Sequence, residues 1–502
     1  MRSTFTATML LAAALSAHAT VTTRSNPPQG LEDSIRATTD LIDQGLGHIR
    51  DNDPAAARAS FDQAIHSGAF AFLPQDQQYR ALALAGLLAF DRKDYAQAHE
   101  LLERATGFSG ANENVWQARF EAAFNIRDFR DGAKCLTVMS SRWPATVERL
   151  NPGTVFQVEL GIKGTDPGLE RDYLQALFDM GWDDHTGGTD TLWHDLALLW
   201  LETGNAQKAA AVAARIGSVR TKLSMRIDKR FDNITRADPA AYDIDRIVLE
   251  NLSKAKAAVA AAPNELKPVC TLQEQLIDSH HYTEAVAAAD AVIAKTGNGS
   301  DPSAYADFDQ FYNWVLDNRA RALARMGRWD DAITQWRHAA RRPENGVMNV
   351  SQAINLAGLY ARLRRPDDAL DMMVGIGDMS PYGRMQYEKV QLEVAIEQND
   401  KAATAKHLSY LREHRTDAIA AWQTALLLTG DLDGASDLLV ERLNNARWRG
   451  DALVDMQQYL DITETPLGAE LGQRWDEIQA RPAVQKALAK VGRVEHFNLD
   501  PP

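Results

Sequence analysis

From Leu31 onward, apolar residues recur three and four positions apart, interrupted by short polar breaks. That spacing is the period of an amphipathic α-helix, and no long stretch keeps the period of two that a half-buried β-strand shows. In Leu82–Ala105 one such run ends at a polar turn over 91–94, and a second run follows with the small Ala98 and the bulky Leu102. The pattern predicts an all-α fold built from short helix hairpins.

The same order of small and large residues returns in Leu316–Ala339, where Gly327 lies in the turn and Ala332 and Trp336 mark the second helix. Small residues where two helices touch let their backbones approach, and large residues of the next hairpin fill the remaining groove. This cadence resembles the tetratricopeptide repeat, a helix–turn–helix of about 34 residues. The resemblance implies a right-handed superhelical solenoid of antiparallel hairpins whose first helices line a concave, peptide-binding face.

One residue near the start of each predicted second helix aligns the repeats. The aligned positions are Ala57, Ala98, Gly132, Ala209, Ala285, Ala332, Ala369, Thr404 and Ala435. They are 41, 34, 77, 76, 47, 37, 35 and 31 residues apart, and the two long intervals leave room for a degenerate extra hairpin each, with 169–180 and 244–261 as candidates. We therefore predict about nine to eleven hairpins over 31–445 and a helical C-terminal cap over 446–502, because end repeats need a polar outer face.

The first nineteen residues have the pattern of a signal peptide: one positive charge, a short apolar run and the sequence Ala17-His18-Ala19. The apolar run is shorter than the roughly 20 residues that span a bilayer, although a retained N-terminal anchor is the alternative. We expect cleavage after Ala19, a polar linker over 20–30, a mature chain without a membrane span, and a periplasmic or secreted bacterial protein.

Composition and motifs narrow the function. Lys and Arg number 54 against 68 Asp and Glu, and a net charge of −14 argues against nucleic acid as a partner. The two cysteines, Cys135 and Cys270, are too few for a disulfide framework and are expected to be buried thiols. No phosphate-binding loop, HExxH or GxSxG occurs in a supporting context, so we predict neither enzyme activity nor a cofactor or metal. The histidine pair His280-His281 and the segment 181–190 are interpreted as turns.

One region reverses the charge of the chain. The stretch from Arg319 to Arg365 contains ten arginines and only three acidic residues, Asp330, Asp331 and Glu344, which gives it a local charge of +7. The arginines are Arg319, Arg321, Arg325, Arg328, Arg337, Arg341, Arg342, Arg362, Arg364 and Arg365. Such a patch can attract an acidic partner, and guanidinium groups suit carboxylates, although a solvated face that balances acidic neighbours is the alternative.

Within the patch, Asn318 and Asn355 occupy equivalent places on successive first helices, 37 residues apart. They resemble the asparagines with which tetratricopeptide co-chaperones hold a bound peptide. Two departures show that the family's carboxylate clamp is not intact: Trp314 stands where those proteins have a lysine, and Gln386 and Val390 replace a Lys/Arg pair. The predicted partner site is the set Trp314, Asn318, Arg321, Arg325, Asn355, Tyr360 and Arg362.

We therefore expect a non-catalytic scaffold of the bacterial envelope that binds a protein or peptide, such as an acidic one, along its concave face. Two alternatives remain open. One is an accessory factor of a glycan or peptidoglycan machinery, which would show exposed Trp or Tyr beside carboxylates. The other is a structural subunit that self-assembles through an uncapped terminal hairpin.

Overall fold

The computed structural model describes residues 29–184, 188–340 and 350–501, and within these ranges the chain forms helices, turns and two isolated β-bridges but no strand. The predicted all-α fold of antiparallel hairpins is confirmed. The predicted signal peptide, most of the linker, His185, Arg341, Arg342 and Glu344 lie outside the described residues. No helix of the described part is long and apolar enough to cross a membrane.

The chain divides into two compact units at Arg215 and Ile216. Unit 1 (residues up to 215) contains α1 Gln29–Arg50, α2 Pro54–His66, α3 Gln75–Asp91, α4 Tyr95–Thr106, α5 Glu113–Asn125, α6 Phe129–Arg142, α7 Pro144–Glu148, α8 Pro152–Ile162, α9 Pro167–Met180, α10 Thr189–Glu202 and α11 Ala206–Ala213.

Unit 2 (residues from 216) contains α12 Val219–Ile227, α13 Asp232–Thr235, α14 Ile244–Ala261, α15 Lys267–Asp278, α16 Tyr282–Lys295, α17 Phe308–Arg325, α18 Trp329–Ala340, α19 Val350–Arg362, α20 Pro366–Met373, α21 Pro381–Glu397, α22 Lys401–Glu413, α23 Ile419–Thr429, α24 Leu432–Asn444, α25 Arg449–Asp455, α26 Pro466–Gln479 and α27 Pro482–Val491. Short 3₁₀ turns lie at Phe70–Phe72, Lys229–Phe231, Pro239–Tyr242 and Pro302–Ala304.

In the described ranges, nine hairpins have the same type of turn between their two helices. They are α1–α2, α3–α4, α5–α6 and α10–α11 in unit 1, and α15–α16, α17–α18, α19–α20, α21–α22 and α23–α24 in unit 2. Each residue of the predicted alignment is the fourth residue of its second helix, and all are buried except the half-buried Thr404. Close packing follows: a Cβ added at Gly86 would lie 2.7 Å from Leu102.

The turn itself is a left-handed helix cap. Five positions before each aligned residue the backbone φ is positive, between 55° and 76°, at Asn52, Lys93, Arg127, Gly204, His280, Gly327, Arg364, Asn399 and Gly430. The next residue donates its N–H to the carbonyl five residues back, at 2.7–3.0 Å in every case, which is the Schellman arrangement. Six of these next residues also cap the second helix with an Asp or Asn side chain.

The two long intervals hold extra helices rather than further copies of this hairpin. In unit 1, α8 and α9 both pack against α6 and only lightly against each other. In unit 2, α14 packs against α15, and α12 packs against both α14 and α25, so the first and later helices of this unit meet. The helices of the predicted cap, α26 and α27, pack on α24, the last helix of the ninth hairpin, so that hairpin is covered.

Candidate functional site

The predicted partner site lies on α17 and α19, the first helices of the sixth and seventh hairpins. Trp314, Asn318, Arg321 and Arg325 follow one another on one side of α17, because their spacing of four, three and four residues matches the helical repeat. The indole of Trp314 is exposed, with 37% of its surface open to solvent, and Arg321, Asn355 and Arg362 are also exposed. These four residues therefore remain available to a partner.

Two residues of the predicted site are buried, and their assignment as partner contacts is wrong. Asn318 is 1% exposed, donates its amide to the carbonyl of Cys270 on α15 at 3.5 Å and accepts from Arg321 at 3.1 Å. Tyr360 is fully buried, with the guanidinium carbon of Arg365 4.8 Å from its ring centroid. Asn318 joins neighbouring hairpins and orients Arg321, while Tyr360 belongs to the core.

Asn355 is tied to a buried carboxylate. Its amide donates to Asp317 Oδ1 at 3.4 Å, and the indole N–H of Trp336 donates to the same oxygen at 2.7 Å. Burial raises the pKa of Asp317, whereas the hydrogen bonds from Trp336 and Asn355 and the positive charge of Arg321 act to lower it. Trp336 is therefore a core residue, as its repeat position indicated, and Asn355 lies where hairpins six and seven meet.

Most of the eight patch arginines that the structure describes form ion pairs. Five of their guanidinium groups have carboxylate partners at 2.5–3.7 Å: Arg319 with Asp290, Arg328 with Asp331, Arg337 and Arg365 with Asp368, and Arg364 with Glu397 and Glu470. Several partners lie outside the stretch 319–365, which a local charge count omits. The patch is thus weaker as a free positive surface than its sequence indicated.

Arg321 and Arg362 are different. Among the described residues neither has a carboxylate within 4 Å, and Arg362 donates its Nε–H to the carbonyl of Gly358 at 3.1 Å in its own helix. Three acids lie within electrostatic range, Glu274 and Asp317 near Arg321 and Glu393 near Arg362, and burial raises the pKa of all three. Arg321 and Arg362 are nevertheless exposed.

Arg325 is already engaged by residues 493–501 of the same chain, which we call the closing segment. Its Nη2 donates to the carbonyl of Pro501 at 3.2 Å, and its Nε lies 3.5 Å from Asp500 Oδ2. Burial lowers the pKa of Arg325, and the charge of Asp500 opposes that effect. A residue predicted to bind a partner's carboxylate therefore holds a carboxylate of its own chain.

Asp500 is 1% exposed and is held on several sides. The hydroxyl of Tyr282 donates to its Oδ1 at 2.6 Å, and Nδ1 of His280 lies 3.2 Å from the same oxygen. Its backbone N–H donates to the carbonyl of Asp278 at 3.0 Å, and Arg220 donates to its carbonyl at 2.9 Å. The turn of the fifth hairpin and the end of α17 together form a carboxylate pocket.

Sequence reasoning missed this pocket because its members are far apart in the chain. Arg220 and Tyr282 lie 280 and 218 residues from Asp500 in the sequence, and no repeat period links them to it. The one local signal is the run Phe497-Asn498-Leu499-Asp500, in which Phe497 and Leu499 are buried and Asn498 is exposed. In a sequence this alternation predicts an extended segment laid on a surface, whereas the structure bends at Asn498 and Leu499 and also buries Asp500.

The remaining candidates for chemistry are structural in the described ranges. Cys135 and Cys270 are free and buried, and burial raises the pKa of both thiols far above the ordinary value. No group of three or more His, Cys, Asp or Glu side chains among the residues the structure describes is placed to hold a metal ion. His281 lies against Ser279 in the turn that also carries His280.

Unit 1 has an open cavity of about 620 Å³ between α6, α9, α10 and α11. Its wall includes Asp172, Asp179, Trp200 and Lys208, and the ammonium of Lys208 lies 4.0 Å from the centroid of the Trp200 ring. Ser140 also lines the cavity; its Oγ is buried and has no hydrogen-bond partner in the described part of the chain. No role of these residues is predicted from the sequence.

Comparison with known proteins yields no family. No family model matches the chain, and no curated protein does. Solved structures with some similarity include yeast Tom70 (13% identity, covering 91% of this chain and 99% of that one, TM-score 0.28) and the APC/C hetero-tetramer Cut9-Hcn1 (12%, 90% and 96%, TM-score 0.23). A third is Naa15/Naa10 bound to HypK-THB (11%, 90% and 74%, TM-score 0.23). Such low TM-scores carry no weight for function, so the hairpin architecture rests on the contacts described above.

Proposed function

We propose that this chain is a non-catalytic scaffold that binds an extended, acidic segment of a partner protein on the α17–α19 face of unit 2. The observation that carries the proposal is the pair Arg321 and Arg362, two exposed guanidinium groups without a carboxylate within 4 Å in the described ranges. The other arginines of the patch that the structure describes are paired. Two exposed guanidinium groups without a close carboxylate, together with the exposed Trp314 on α17, offer charge and one apolar anchor to an incoming chain.

The expected energetics are modest for each contact. An exposed ion pair contributes about 0.2–1 kcal/mol, so two of them steer and orient a partner more than they hold it. Burial of the open part of the Trp314 indole adds apolar area at about 25 cal/mol per Å². A partner with two acidic residues and one apolar residue in an extended stretch fits this face.

A pull-down from envelope extract of the native host tests the proposal. The mature chain should capture a partner that the double variant Arg321→Glu/Arg362→Glu loses while keeping its unfolding midpoint. Arg328→Glu is the matched control, because Arg328 is exposed but already paired with Asp331. The captured partner's contact region should map to an acidic stretch by cross-linking. Equal capture by wild type and the double variant would refute the assignment.

The location of the scaffold belongs to the same proposal. We propose export across the inner membrane with cleavage after Ala19, which the order of charge, apolar run and small residues in 1–19 supports. Expression of the whole chain in a bacterium, followed by N-terminal sequencing of the periplasmic fraction, should show a mature chain beginning at Thr20. An intact Met1 in the membrane fraction would instead indicate a retained anchor.

The cavity of unit 1 favours a saccharide as a second candidate ligand. Trp200 next to Asp172 and Asp179 is the combination expected of a glycan binder, and Ser140 adds an unpaired hydroxyl. It ranks second because Lys208 and Arg171 already lie over the indole, 4.0 and 5.1 Å from its centroid. A glycan array probed with wild type and Trp200→Ala decides: a signal lost in the variant supports this candidate, and a blank array removes it.

A further inference from the structure

The partner site of unit 2 and the pocket of the closing segment share one helix. Arg321 and Arg325 are one turn apart on α17, and the charge of Arg325 is coupled electrostatically to both Arg321 and Arg362. Of these three guanidinium groups, only Arg325 has an acidic partner within 4 Å in the described ranges, and that partner is Asp500. A partner's acidic segment that follows the three arginines in order therefore meets Asp500 at Arg325.

We infer that the closing segment is an intramolecular competitor, which occupies the Arg325 end of the α17–α19 face and must leave Arg325 before an acidic partner segment engages all three arginines. This inference rests on the proposed function and adds to it both a regulation and a recognition pattern. The pattern is read from the segment itself: two buried apolar residues, Phe497 and Leu499, on either side of a bend, followed at once by an aspartate.

The closing segment is held in place largely through hydrogen bonds of its main chain. The backbone is held at Asp500, whose N–H and carbonyl both find partners on helices of unit 2. The segment also forms bridging hydrogen bonds with 458–460: Phe497 N–H donates to the Gln458 carbonyl at 2.9 Å, and Leu460 N–H donates to the Leu499 carbonyl at 3.0 Å. Main-chain bonds supply affinity and alternate side chains supply specificity, as in strand-addition recognition.

Because the closing segment is part of the same chain, it stays bound at Arg325 in the absence of a partner. A segment on the same chain has an effective concentration of about millimolar, so a free peptide that only repeats its contacts does not displace it. A partner that also reaches Arg321, Arg362 and Trp314 makes contacts that the closing segment does not make. The segment thus rejects short acidic peptides and admits partners whose acidic stretch extends along α17 and α19.

The pocket can be exposed by one substitution in the full chain. Asp500→Arg places a positive charge against Arg325, Arg220 and His280, and should release the end of the closing segment. A fluorescein-labelled peptide with the sequence of 494–501, VEHFNLDP, should then bind the variant at least about ten-fold more tightly than it binds the wild type. The same peptide with asparagine in place of its aspartate should lose that gain.

A charge exchange provides the control. Arg325→Glu combined with Asp500→Arg restores opposite charges at this pair, while Arg220 and His280 still face the new arginine, so peptide binding should fall back toward the weak wild-type level. Hydrogen exchange of the amides of Phe497 and Asp500 should be fast in Asp500→Arg and slow again in the exchanged pair. Peptide affinity equal in wild type and Asp500→Arg, with both chains folded by circular dichroism, would overturn the inference, as would unchanged amide exchange.

The proposed function fails in a different experiment. If Arg321→Glu/Arg362→Glu keeps the partner while Asp500→Arg gains the peptide, the carboxylate pocket is real but the partner face lies elsewhere. If the double variant loses the partner and Asp500→Arg gains no peptide, the face is right and the closing segment is only a structural strap.

Discussion

The two units build the same hairpin turn but stabilise it over different distances along the chain. In unit 1 the central polar network joins adjacent hairpins: Arg119 on α5 pairs with Asp131 on α6, donates to Thr106 on α4, and Asp131 also pairs with His99. All of these partners lie within 32 residues of one another. In unit 2, by contrast, Arg226 pairs with Glu495 and Arg220 with the Asp500 carbonyl, 269 and 280 residues away.

Unit 1 is therefore stabilised by contacts between neighbouring hairpins, whereas unit 2 is also stabilised by contacts between its first helix and the closing segment. A stack held by neighbour contacts behaves as a sum of units, each able to open next to its neighbour. A unit whose first helix contacts residues near its end must lose those contacts together, so it should unfold more cooperatively. The closing segment also crosses the pocket at Arg325, which links the stability of unit 2 to the exposure of the proposed partner face.

The largest effect should come from the buried ion pair of unit 1. Arg119 is 7% exposed, and Arg119→Ala leaves the buried Asp131 without its main counter-charge, which should cost about 3–5 kcal/mol. The loss should appear as faster hydrogen exchange in α4, α5 and α6, with unit 2 unchanged. Arg149→Ala removes an exposed guanidinium in the same unit and should change stability by less than about 0.5 kcal/mol. Similar effects of the two variants would show that the network is not central.

A matching change in unit 2 should spread further. Leu499 is fully buried in a core that includes Leu223 of α12 and Leu453 of α25, so Leu499→Ala should cost about 2–5 kcal/mol. Because the segment joins distant helices, exchange should rise from α12 to α25 together. Val494→Ala, at an exposed position of the same segment, should have little effect. A local change limited to 493–501 would contradict closure.

The stability of unit 1 should depend on pH through the carboxyl group of Glu159. Burial raises the pKa of Glu159 to about 7; the charge of Lys163, 3.5 Å away, opposes this rise, and the negative charges of Asp195 and Glu170 add to it. Between the unfolded pKa of about 4.3 and about 7, the folded chain keeps a proton that the unfolded chain releases. The free energy of unfolding of unit 1 should therefore fall as the pH rises through this window.

Urea unfolding at several pH values, with local exchange as the readout, measures that slope. Glu159→Gln should flatten it, because the amide does not titrate. Glu148→Gln, at an exposed position nearby, should leave the slope as it is in the wild type. A slope that persists in Glu159→Gln would assign the pH dependence to another group.

Much of the fold could be predicted because each hairpin repeats a local rule. The small residue of the second helix and the polar break before it lie within a few positions of each other, so the period identified all nine turns. The division at residue 215 could not be predicted, since it arises from packing between helices distant in sequence. The same reason hides the closing segment, whose partners are up to 280 residues away.

The candidate site was predicted less well, and the failures have physical causes. Helical spacing placed Trp314, Arg321 and Arg362 on the surface, but it could not tell that Asn318 turns toward Cys270 or that Tyr360 is covered. Counting charge between 319 and 365 overestimated the free positive surface, because Asp290, Glu397 and Glu470 come from outside that stretch. Burial and ion pairing depend on neighbours in space.

The smallest effects concern the type of turn that occurs in both units. They test whether the turn depends on its positive φ or on the side chain at that position. Lys93 in unit 1 has φ of 64°, a conformation that costs a non-glycine residue about 1–2 kcal/mol, whereas glycine adopts it freely but loses about 0.5–1 kcal/mol of chain entropy. Lys93→Gly should therefore stabilise unit 1 by up to about 1 kcal/mol in urea unfolding, and Lys93→Ala should be neutral. In unit 2, Gly430 has φ of 73° with open space around it, so Gly430→Ala should destabilise by about 1 kcal/mol through the backbone alone. A loss of stability in Lys93→Gly would mean that the lysine side chain, and not the turn geometry, sustains the second hairpin.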